Sequence, residues 1–276
     1  MTYRVLVTGG AGSMGRLVIS RLRAAGMPVR AFDLPSADYT GLEGHPGVEV
    51  AKGDMTRPDD LRRAVAGVDA VVHLAAILPP AAERNPALTF RVNVDGTRAL
   101  IAAVEARAPG ARFVFSSSVS VYGDTSQEEH RGAGIATGHP VAPDDTYARS
   151  KAESEQAVCE SRTDWAVLRI SGVAVPVFQE PPAAWPFLAT QRVEFVHRDD
   201  AVAAIAAAVS AASVQRLVYN VAGGATWRMK GSDYVSDYLQ IVGLDEAEAV
   251  YQPGAGHFDW YDTESSQLSL RYQNTS

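Results

Sequence analysis

The chain has 276 residues, of which 46% are hydrophobic and 21% are charged, and its formal net charge is −7. This composition is that of a globular protein with a buried core, and it excludes a largely disordered chain. The acidic balance, with arginines scattered along the sequence, excludes the basic surface that is typical of nucleic-acid-binding proteins.

Three further observations narrow the class of protein. The single cysteine, Cys159, excludes an internal disulfide framework and a cysteine-based metal site. The amino terminus enters a strand-like run at once and has none of the successive regions of a signal peptide. No uninterrupted apolar stretch reaches the roughly 18 residues of a membrane span. We therefore expect a cytoplasmic protein that has no metal and no membrane or nucleic-acid partner.

Short β-branched runs alternate with helical patterns, which is typical of βαβ units around a parallel sheet. The predicted strands are, in chain order, Tyr3–Thr8, Met27–Asp33, Val48–Ala51, Ala70–Ala75, Arg112–Ser116, Trp165–Ile170 and Arg216–Val221. The predicted helices are Ser13–Ala25, Asp59–Ala66, Pro86–Arg107, Tyr147–Ser161, Asp199–Ala212 and Ser232–Val242. Ser120–Asp145, rich in Gly and Pro, is predicted to be a long loop, and loops of that length are usually functional. The fold class is α/β with a doubly wound parallel sheet.

A glycine-rich turn links the first predicted strand to the first predicted helix. It reads Thr-Gly-Gly-Ala-Gly-Ser-Met-Gly over residues 8–15, and the second strand ends in Asp33, 18 residues beyond Gly15. Such glycines allow a tight turn, close approach to a pyrophosphate and close helix–strand packing. The helix amino terminus then faces the phosphate. A carboxylate at Asp33 suits the free ribose 2′-hydroxyl of NAD, so the turn predicts a Rossmann-type NAD site; a turn kept for packing alone is the alternative.

Tyr147 and Lys151 are four residues apart on a predicted helix and form the only Tyr-x-x-x-Lys match in the chain. This spacing puts both side chains on one helical face. An adjacent ammonium favours the phenolate and lowers the pKa of the tyrosine, together with the positive ring of an oxidised nicotinamide. Tyr147 is thus a candidate proton acceptor and donor for a substrate hydroxyl. The alternative is an ordinary surface contact between the two side chains.

Three serines, Ser116 to Ser118, end the fifth predicted strand. Ligands of doubly wound sheets bind at this carboxyl edge, so one hydroxyl could polarise the reacting oxygen. The same serines could equally satisfy local backbone groups in a turn.

The sequence resembles the extended short-chain dehydrogenase/reductase family, which includes NAD-dependent sugar-nucleotide epimerases and dehydratases. The resemblance extends over some 220 residues. Besides the glycine-rich turn and Tyr-Ala-Arg-Ser-Lys, it rests on the segments Gly53–Met55, His73–Ala76, Arg91–Thr97, Ser116–Gly123, Phe195–Val202 and Tyr219–Gly224.

The resemblance implies a role for particular residues. Gly9, Gly12, Ser13, Met14 and Gly15 would cradle the pyrophosphate, and Asp33 would bind the adenosine ribose. The other cofactor-binding residues would be Asp54 and Met55 at the adenine, Leu74, Ala75 and Ala76 under the cofactor, and Asn93, Ser116, Tyr147 and Lys151 near the nicotinamide half. Ser118 would be the hydroxyl donor, Tyr147 the acid/base and Lys151 its activator. Asp54 as a helix cap and Asn93 as a plain helical residue are the alternatives.

Two residue groups are assigned structural roles instead. His73 is interpreted as a strand residue, and Asp199 with Asp200 as a helix cap. The segment His257–Asp262 is a polar–aromatic cluster that either closes over a substrate or packs as a tail, and we favour packing.

The resemblance also implies a domain arrangement and partners. Residues 1–276 would form one extended Rossmann unit, with an NAD-binding core at 1–170 and a return to the sheet at 197–222. Residues 171–196 and 223–276 would bind a small, sugar-like substrate. A homodimer would pack through the helices at Pro86–Arg107 and Tyr147–Ser161.

Departures from the family pattern bear on the substrate. Val119 and Ser120 follow Ser118 where family dehydratases carry an acidic pair, which argues against dehydration. The substrate segment, residues 173–194, is short, and Arg192 is its only basic residue, although a diphosphate normally needs charged donors. Arg228 and Lys230 could supply them.

Three functions remain open. The first, which we favour, is an epimerase acting on a sugar or sugar-nucleotide. The second is a dehydrogenase or reductase of a smaller polyol, uronate or ketone with exchangeable NAD. The third is a nucleotide-sensing protein without catalysis, against which the intact Tyr147 and Lys151 argue.

Overall fold

A computed structural model describes residues 3–126, 134–178 and 180–275. Ten strands are found in these ranges: β1 Val5–Thr8, β2 Val29–Asp33, β3 Val48–Lys52, β4 Ala70–His73, β5 Arg112–Ser118, β6 Asp164–Ile170, β7 Gly172–Ala174, β8 Arg192–His197, β9 Leu217–Val221 and β10 Arg228–Lys230. Seven of them form one parallel sheet in the order β3-β2-β1-β4-β5-β6-β9. The predicted α/β class with a doubly wound parallel sheet is confirmed.

The helices cover both faces of this sheet. They are α1 Ser13–Ala24, α2 Pro58–Ala64, α3 Ala81–Arg84, α4 Pro86–Phe90, α5 Gly96–Arg107, α6 Thr146–Glu160, α7 Arg198–Ser210, α8 Gly231–Val242 and α9 Glu264–Leu270. One core layer joins α1 and α7 to the sheet, and the other joins α2, α5 and α6. Within the described ranges, no helix has the length and apolar character needed to cross a bilayer.

The strands are apolar because both of their faces are covered. Val5, Leu6 and Val7 of β1 are fully buried, and β1 pairs with β2 on one side and with β4 on the other. The strand order therefore reverses at β1. Ligands of doubly wound sheets bind in the crevice at this reversal point, outside the carboxyl ends of the strands. Here that crevice lies above Thr8 and His73, which are paired in register.

The predicted helix Pro86–Arg107 is interrupted. α4 ends at Phe90, and residues Arg91–Asp95 form a π-helical turn before α5 begins at Gly96. A π turn accommodates one extra residue, and such turns are frequent at functional sites. Its buried residues are Asn93 and Val94, and the Asn93 side chain bonds to the chain beyond β4. Those bonds give the physical reason for the departure from a regular helix.

A second, three-stranded sheet was not predicted. β8 pairs with β7 in parallel and with β10 in antiparallel orientation, and two of these strands have only three residues. Its core is an aromatic group that includes Trp185, Phe187, Phe195 and Phe258. In the predicted loop Ser120–Asp145, residues 127–133 lie outside the described residues.

The cap assignment for Asp199 and Asp200 needs correction. The amino-terminal cap of α7 is His197, whose ring accepts a hydrogen bond from the Asp199 N–H at 3.2 Å. Asp199 and Asp200 occupy the first turn of α7, where negatively charged side chains interact favourably with the positive end of the helix dipole. Asp200 is buried and accepts bonds from the backbone N–H groups of Asn274 and Thr275.

Candidate active site

The glycine-rich turn is packed too tightly for side chains. Gly9 has a φ of +69°, and a Cβ there would lie 2.9 Å from the backbone nitrogen of Ala75. A Cβ at Gly15 would lie 2.1 Å from the carbonyl oxygen of Gly9. Gly12 precedes α1 and has no side chain to cap its first turn. The amino terminus of α1 is therefore left open for an anionic group.

A cavity of about 460 Å³ lies over this turn. Eleven of its lining residues are predicted cofactor-binding residues, namely Gly9, Gly12, Ser13, Met14, Gly15, Asp33, Asp54, Met55, Leu74, Ala75 and Ala76. They come from the carboxyl ends of β1, β2, β3 and β4, which are separate in sequence and adjacent in the sheet. The structure thus brings these predicted residues together in one cavity.

Asp33 is fixed by the backbone at the end of β2. Its Oδ2 accepts a hydrogen bond from the Ala11 N–H at 3.0 Å, and its Oδ1 accepts one from the Leu34 N–H at 2.8 Å. The carboxylate therefore joins the glycine-rich turn to β2 while it lines the cavity. Its negative charge at this position favours a ribose hydroxyl and disfavours a phosphate.

Asp54 lines the cavity and does not cap α2. Its Oδ1 accepts bonds from the backbone N–H and the hydroxyl of Thr56, both at 2.8 Å, and these bonds hold the pKa of Asp54 below its usual range. The residue that caps α2 is Arg57, which contributes no side-chain bond. The alternative reading of Asp54 as a helix cap is therefore wrong.

His73 is a buried strand residue, as interpreted from the sequence. Its Nδ1 lies 2.7 Å from the Thr8 hydroxyl, and its Nε2 lies 2.8 Å from the Thr97 hydroxyl. Since Thr97 donates its own proton to the Asn93 carbonyl at 2.5 Å, it accepts from His73, and Thr8 donates to Nδ1. Burial, together with the charge on Lys151, lowers the pKa of His73 to about 3. The ring is neutral and joins β1, β4 and α5.

Asn93 supports the cavity wall from behind. It is 2% exposed, its Oδ1 accepts from the Ile77 N–H at 2.7 Å, and its Nδ2 donates to the Ile77 carbonyl and the Ser150 hydroxyl. Ser150 in turn donates to the Tyr147 carbonyl at 2.8 Å. Asn93 therefore couples the segment after β4 to the turn of α6 that carries Tyr147.

Tyr147 and Lys151 lie on one face of α6, beside the end of β5. The Lys151 ammonium donates to the Ser116 carbonyl at 2.7 Å and lies 5.7 Å from the centroid of the Tyr147 ring. It also lies 4.9 Å from the centroid of the Phe115 ring. Lys151 is 3% exposed, and burial lowers its pKa to about 8, although the carboxylate of Glu155 opposes this shift.

Burial dominates the pKa of Tyr147. In the protein alone, burial raises it above its ordinary value, and the carboxylate of Asp145 raises it further. The ammonium of Lys151 is directed at a backbone carbonyl of β5, so the desolvation of the phenol outweighs its attraction. Lys151 and the positive ring of an oxidised nicotinamide were predicted to lower this pKa together; Lys151 by itself does not offset the burial of the phenol, and the combined effect stays a prediction.

The three serines that end β5 have different environments. Ser116 is engaged through its carbonyl by Lys151, and the buried Ser117 hydroxyl donates to Glu155 at 2.5 Å. Ser118 is only partly buried, and its hydroxyl oxygen accepts from the Ser120 N–H at 3.1 Å. The Ser118 hydroxyl proton is not used in that bond, so it can be donated to a substrate oxygen.

A comparison with family models decides the identity of the chain. The model of the NAD dependent epimerase/dehydratase family matches residues 5–179. The chain belongs to this family. The prediction of an NAD-dependent enzyme family related to the short-chain dehydrogenases/reductases is thus confirmed.

Individual relatives resemble the chain to different extents. It is 31% identical to a dTDP-glucose 4,6-dehydratase of Streptomyces griseus, over 97% of this chain and 88% of that protein. It is 34% identical to a 3-beta-hydroxysteroid dehydrogenase of Mycolicibacterium neoaurum, over 61% of this chain and 46% of that protein. A D-erythronate dehydrogenase of Cupriavidus necator is 39% identical over 43% of this chain and 40% of that protein. The chain thus spans less than half of the latter two relatives.

A solved structure supports the fold. The dTDP-glucose 4,6-dehydratase DesIV of Streptomyces venezuelae, crystallised with NAD, has a TM-score of 0.82 and 23% identity, over 99% of this chain and 92% of that one. Because the family is NAD-dependent, the cofactor of this chain is NAD. The open amino terminus of α1, the tight packing at Gly9 and Gly15, and the fixed carboxylate of Asp33 all fit that cofactor.

Glu83 was not anticipated from the sequence. Its carboxylate accepts hydrogen bonds from the backbone N–H groups of Thr146 and Tyr147, at 3.2 and 3.1 Å. Asp145 accepts from the next N–H group, that of Ala148, at 2.6 Å. Slight burial raises the pKa of Glu83, but its hydrogen bonds to Thr146 and Tyr147 outweigh that effect and lower the pKa overall. Glu83 thus joins α3 to the first turn of α6, which carries Tyr147.

A buried ion pair beneath Lys151 was also missed. Glu155, one helical turn further along α6, is bonded by Arg169 of β6, with Nη2 2.7 Å from Oε2. Both residues are 5% exposed, and Arg169 also donates to the Tyr122 hydroxyl at 3.0 Å. The spacing of Lys151 and Glu155 was a possible signal, but nothing in the sequence pairs Glu155 with Arg169. The ion pair fixes α6 against the sheet.

Proposed function

We propose that the chain is an NAD-dependent oxidoreductase that transfers a hydride at a secondary alcohol or ketone carbon of a sugar-like substrate. The supporting observation is the position of the Lys151 ammonium, buried between the Phe115 and Tyr147 rings and bonded to the Ser116 carbonyl. A lysine this buried is rare without a function, since its charge is poorly solvated.

The residues divide the chemistry between them. NAD, when bound, supplies the hydride acceptor and a positively charged ring. The Tyr147 hydroxyl exchanges the proton of the substrate hydroxyl, and Lys151 stabilises the phenolate form. The Ser118 hydroxyl donates a hydrogen bond to the same substrate oxygen. Because burial and Asp145 both raise the pKa of Tyr147, deprotonation depends on the added positive charge.

Replacing Tyr147 with phenylalanine tests this proposal. Tyr147→Phe removes the proton-transferring oxygen and leaves the helix and the cavity wall in place. We expect turnover to fall by at least ~100-fold, the usual contribution of general acid–base catalysis, while NAD affinity changes little. Turnover and NAD binding are measured on the same preparation. Unchanged turnover would remove Tyr147 from the mechanism.

Epimerisation is the first specific form of this reaction. An epimerase withdraws a hydride and returns it to the opposite face of the same carbon, so NAD never needs to leave. Net oxidation or reduction, as in the hydroxysteroid and erythronate dehydrogenases among the relatives, is the second form. Dehydration is not favoured, since the buried Val119 and Ser120 supply no carboxylate after Ser118.

Release of the cofactor distinguishes these forms. Purified protein is denatured, and the supernatant is assayed for NAD and NADH. Retained cofactor close to one molecule per chain supports an epimerase. An empty protein that forms NADH with added NAD and an alcohol from a panel supports a dehydrogenase.

We further propose that the chain forms a homodimer through α5 and α6. The proposal follows from the family resemblance; on these helices the exposed Arg98 and Glu153 form an ion pair within the chain, 3.7 Å apart. Sedimentation at micromolar concentration tests the proposal, and a monomer there would contradict it.

A further inference from the structure

The segment of residues 256–262, called the strap below, crosses from the small sheet to the long loop after β5. On the small-sheet side, Gln191 accepts from the Gly256 N–H at 3.1 Å and donates to the Phe258 carbonyl at 2.8 Å. On the loop side, the Ile135 N–H donates to the Trp260 carbonyl at 2.7 Å. The strap is therefore hydrogen-bonded along both edges and is an integral part of the fold.

Two arginines that could have bound a diphosphate are bonded to buried carboxylates. Arg192 Nε lies 2.7 Å from Asp259 Oδ1, and Arg228 Nε lies 3.0 Å from Glu194 Oε2. Asp259 is 1% exposed and Glu194 is fully buried. Removing the partner of a buried carboxylate strongly destabilises the folded protein, so both arginines are required for stability.

Both ion pairs also hold the strap. Asp259 belongs to the strap and accepts a further bond from the Thr125 hydroxyl at 2.7 Å. Glu194 accepts from the Tyr261 N–H at 2.9 Å, and Arg228 donates to the Tyr261 carbonyl. The two guanidinium groups therefore attach the strap to β8 and β10.

The strap also fills the space beside the end of β6. A Cβ at Gly172 would lie 2.8 Å from the Phe195 ring and 3.3 Å from the Phe258 ring. Phe258 belongs to the strap and is 9% exposed. The aromatic rings of the strap and of β8 thus leave no room for a side chain at residue 172.

From these contacts we propose that the substrate is a small free secondary alcohol that carries no nucleotide diphosphate. Arg192 and Arg228 of the predicted substrate region are bonded to Asp259 and Glu194 and anchor the strap, so these guanidinium groups serve the fold and do not serve a diphosphate. This inference rests on the proposed hydride transfer and specifies its substrate class.

The test combines nucleotide binding with stability. UDP and dTDP are titrated into the NAD-loaded protein by calorimetry up to about 1 mM. A Kd of about 1 mM corresponds to a binding free energy of only about −4 kcal/mol, so weak binding would also be detected. We expect no saturable heat. In parallel, we expect Arg228→Gln to lower the melting temperature by about 10 °C, because Glu194 loses its partner. The matched control is Lys230→Gln, two residues along β10, whose side chain is exposed and whose loss should leave the melting temperature unchanged.

Arg228→Lys covers the case in which Arg228→Gln does not fold, and it should be destabilised to a smaller extent. Saturable micromolar binding of UDP or dTDP to the NAD-loaded protein would overturn the inference, whether or not a substitution of Arg228 abolishes it. That result would leave the proposed hydride transfer intact. A protein that binds neither nucleotides nor NAD would instead refute the proposed function.

Discussion

Lys151→Met should remove a pH-dependent destabilisation from the folded protein. The folded-state pKa of Lys151 is about 8, whereas the ordinary value is 10.5. Below pH 8 the folded protein must keep a buried ammonium, whereas the unfolded chain carries the same charge in water. This penalty decreases as the pH rises from 8 towards 10.5, because the folded protein then releases its proton and the unfolded chain does not.

The magnitude follows from the difference between the two pKa values. At 1.36 kcal/mol per pKa unit, the buried charge costs about 3 kcal/mol of unfolding free energy at pH 7 and about 1 kcal/mol at pH 9.5. Methionine also leaves the Ser116 carbonyl without its bond, but that loss does not depend on pH. The informative quantity is therefore the change in the difference between variant and wild type, about 2 kcal/mol between the two pH values.

Urea denaturation at pH 7 and pH 9.5 measures this change. The stability of Lys151→Met relative to wild type should be higher at pH 7 than at pH 9.5. Lys230→Met, at an exposed position, is the control and should show no such pH dependence. An equal difference at both pH values would refute the reasoning and would mean that Lys151 is well solvated in the folded protein.

Three further substitutions test the site. Asp33→Ala should raise the Kd for NAD by about tenfold, as expected when a hydrogen bond to a charged group is lost, and should raise the Kd for NADP less. Fluorescence titration measures both Kd values. Equal affinities of the wild type for NAD and NADP would contradict the cofactor preference. Glu155→Gln should lower the unfolding free energy by about 3 kcal/mol because Arg169 stays buried with a weaker partner, and urea denaturation with an Arg169→Met second-site variant reports whether the pair is responsible. Glu83→Gln should raise KM more than it lowers kcat, because the bonds between α3 and α6 weaken. The wild type should show the same change only when the pH falls through the lowered pKa of Glu83. Steady-state kinetics that remain unchanged in the variant would show that α3 does not position Tyr147.

The sheet and the cofactor cavity were predictable because their signals are local. Buried strands such as Val5–Thr8 are short runs rich in β-branched residues, and the glycine-rich turn follows directly after the first of them. The family resemblance implied that residues as distant as Gly9 and Ala76 both bind the cofactor, and parallel strands place their carboxyl ends at one edge of the sheet. Both residues line the cavity.

The features of the fold and the site that were not predicted from the sequence depend on contacts between residues distant in the chain. The strands β7 and β10 have three residues each, which is too short for a periodic pattern. The π turn at Asn93 accompanies hydrogen bonds between the Asn93 side chain and the backbone of Ile77. The ion pair of Glu155 and Arg169 joins α6 to β6. Likewise, Arg192 and Arg228 look like available cations in the sequence, and only their buried partners assign them to the strap.

The strap also determines the order in which the two halves of the cleft can be assembled during synthesis. All residues that line the cofactor cavity lie between Gly9 and Val92, so this wall is available early, as the chain emerges from the ribosome. The opposite side requires Asp259 to reach Thr125 and Tyr261 to reach Glu194, which are contacts across 134 and 67 residues. The residues that line the cofactor cavity are therefore all synthesised well before the seven residues of the strap, whose contacts with Thr125 and Glu194 can form only afterwards.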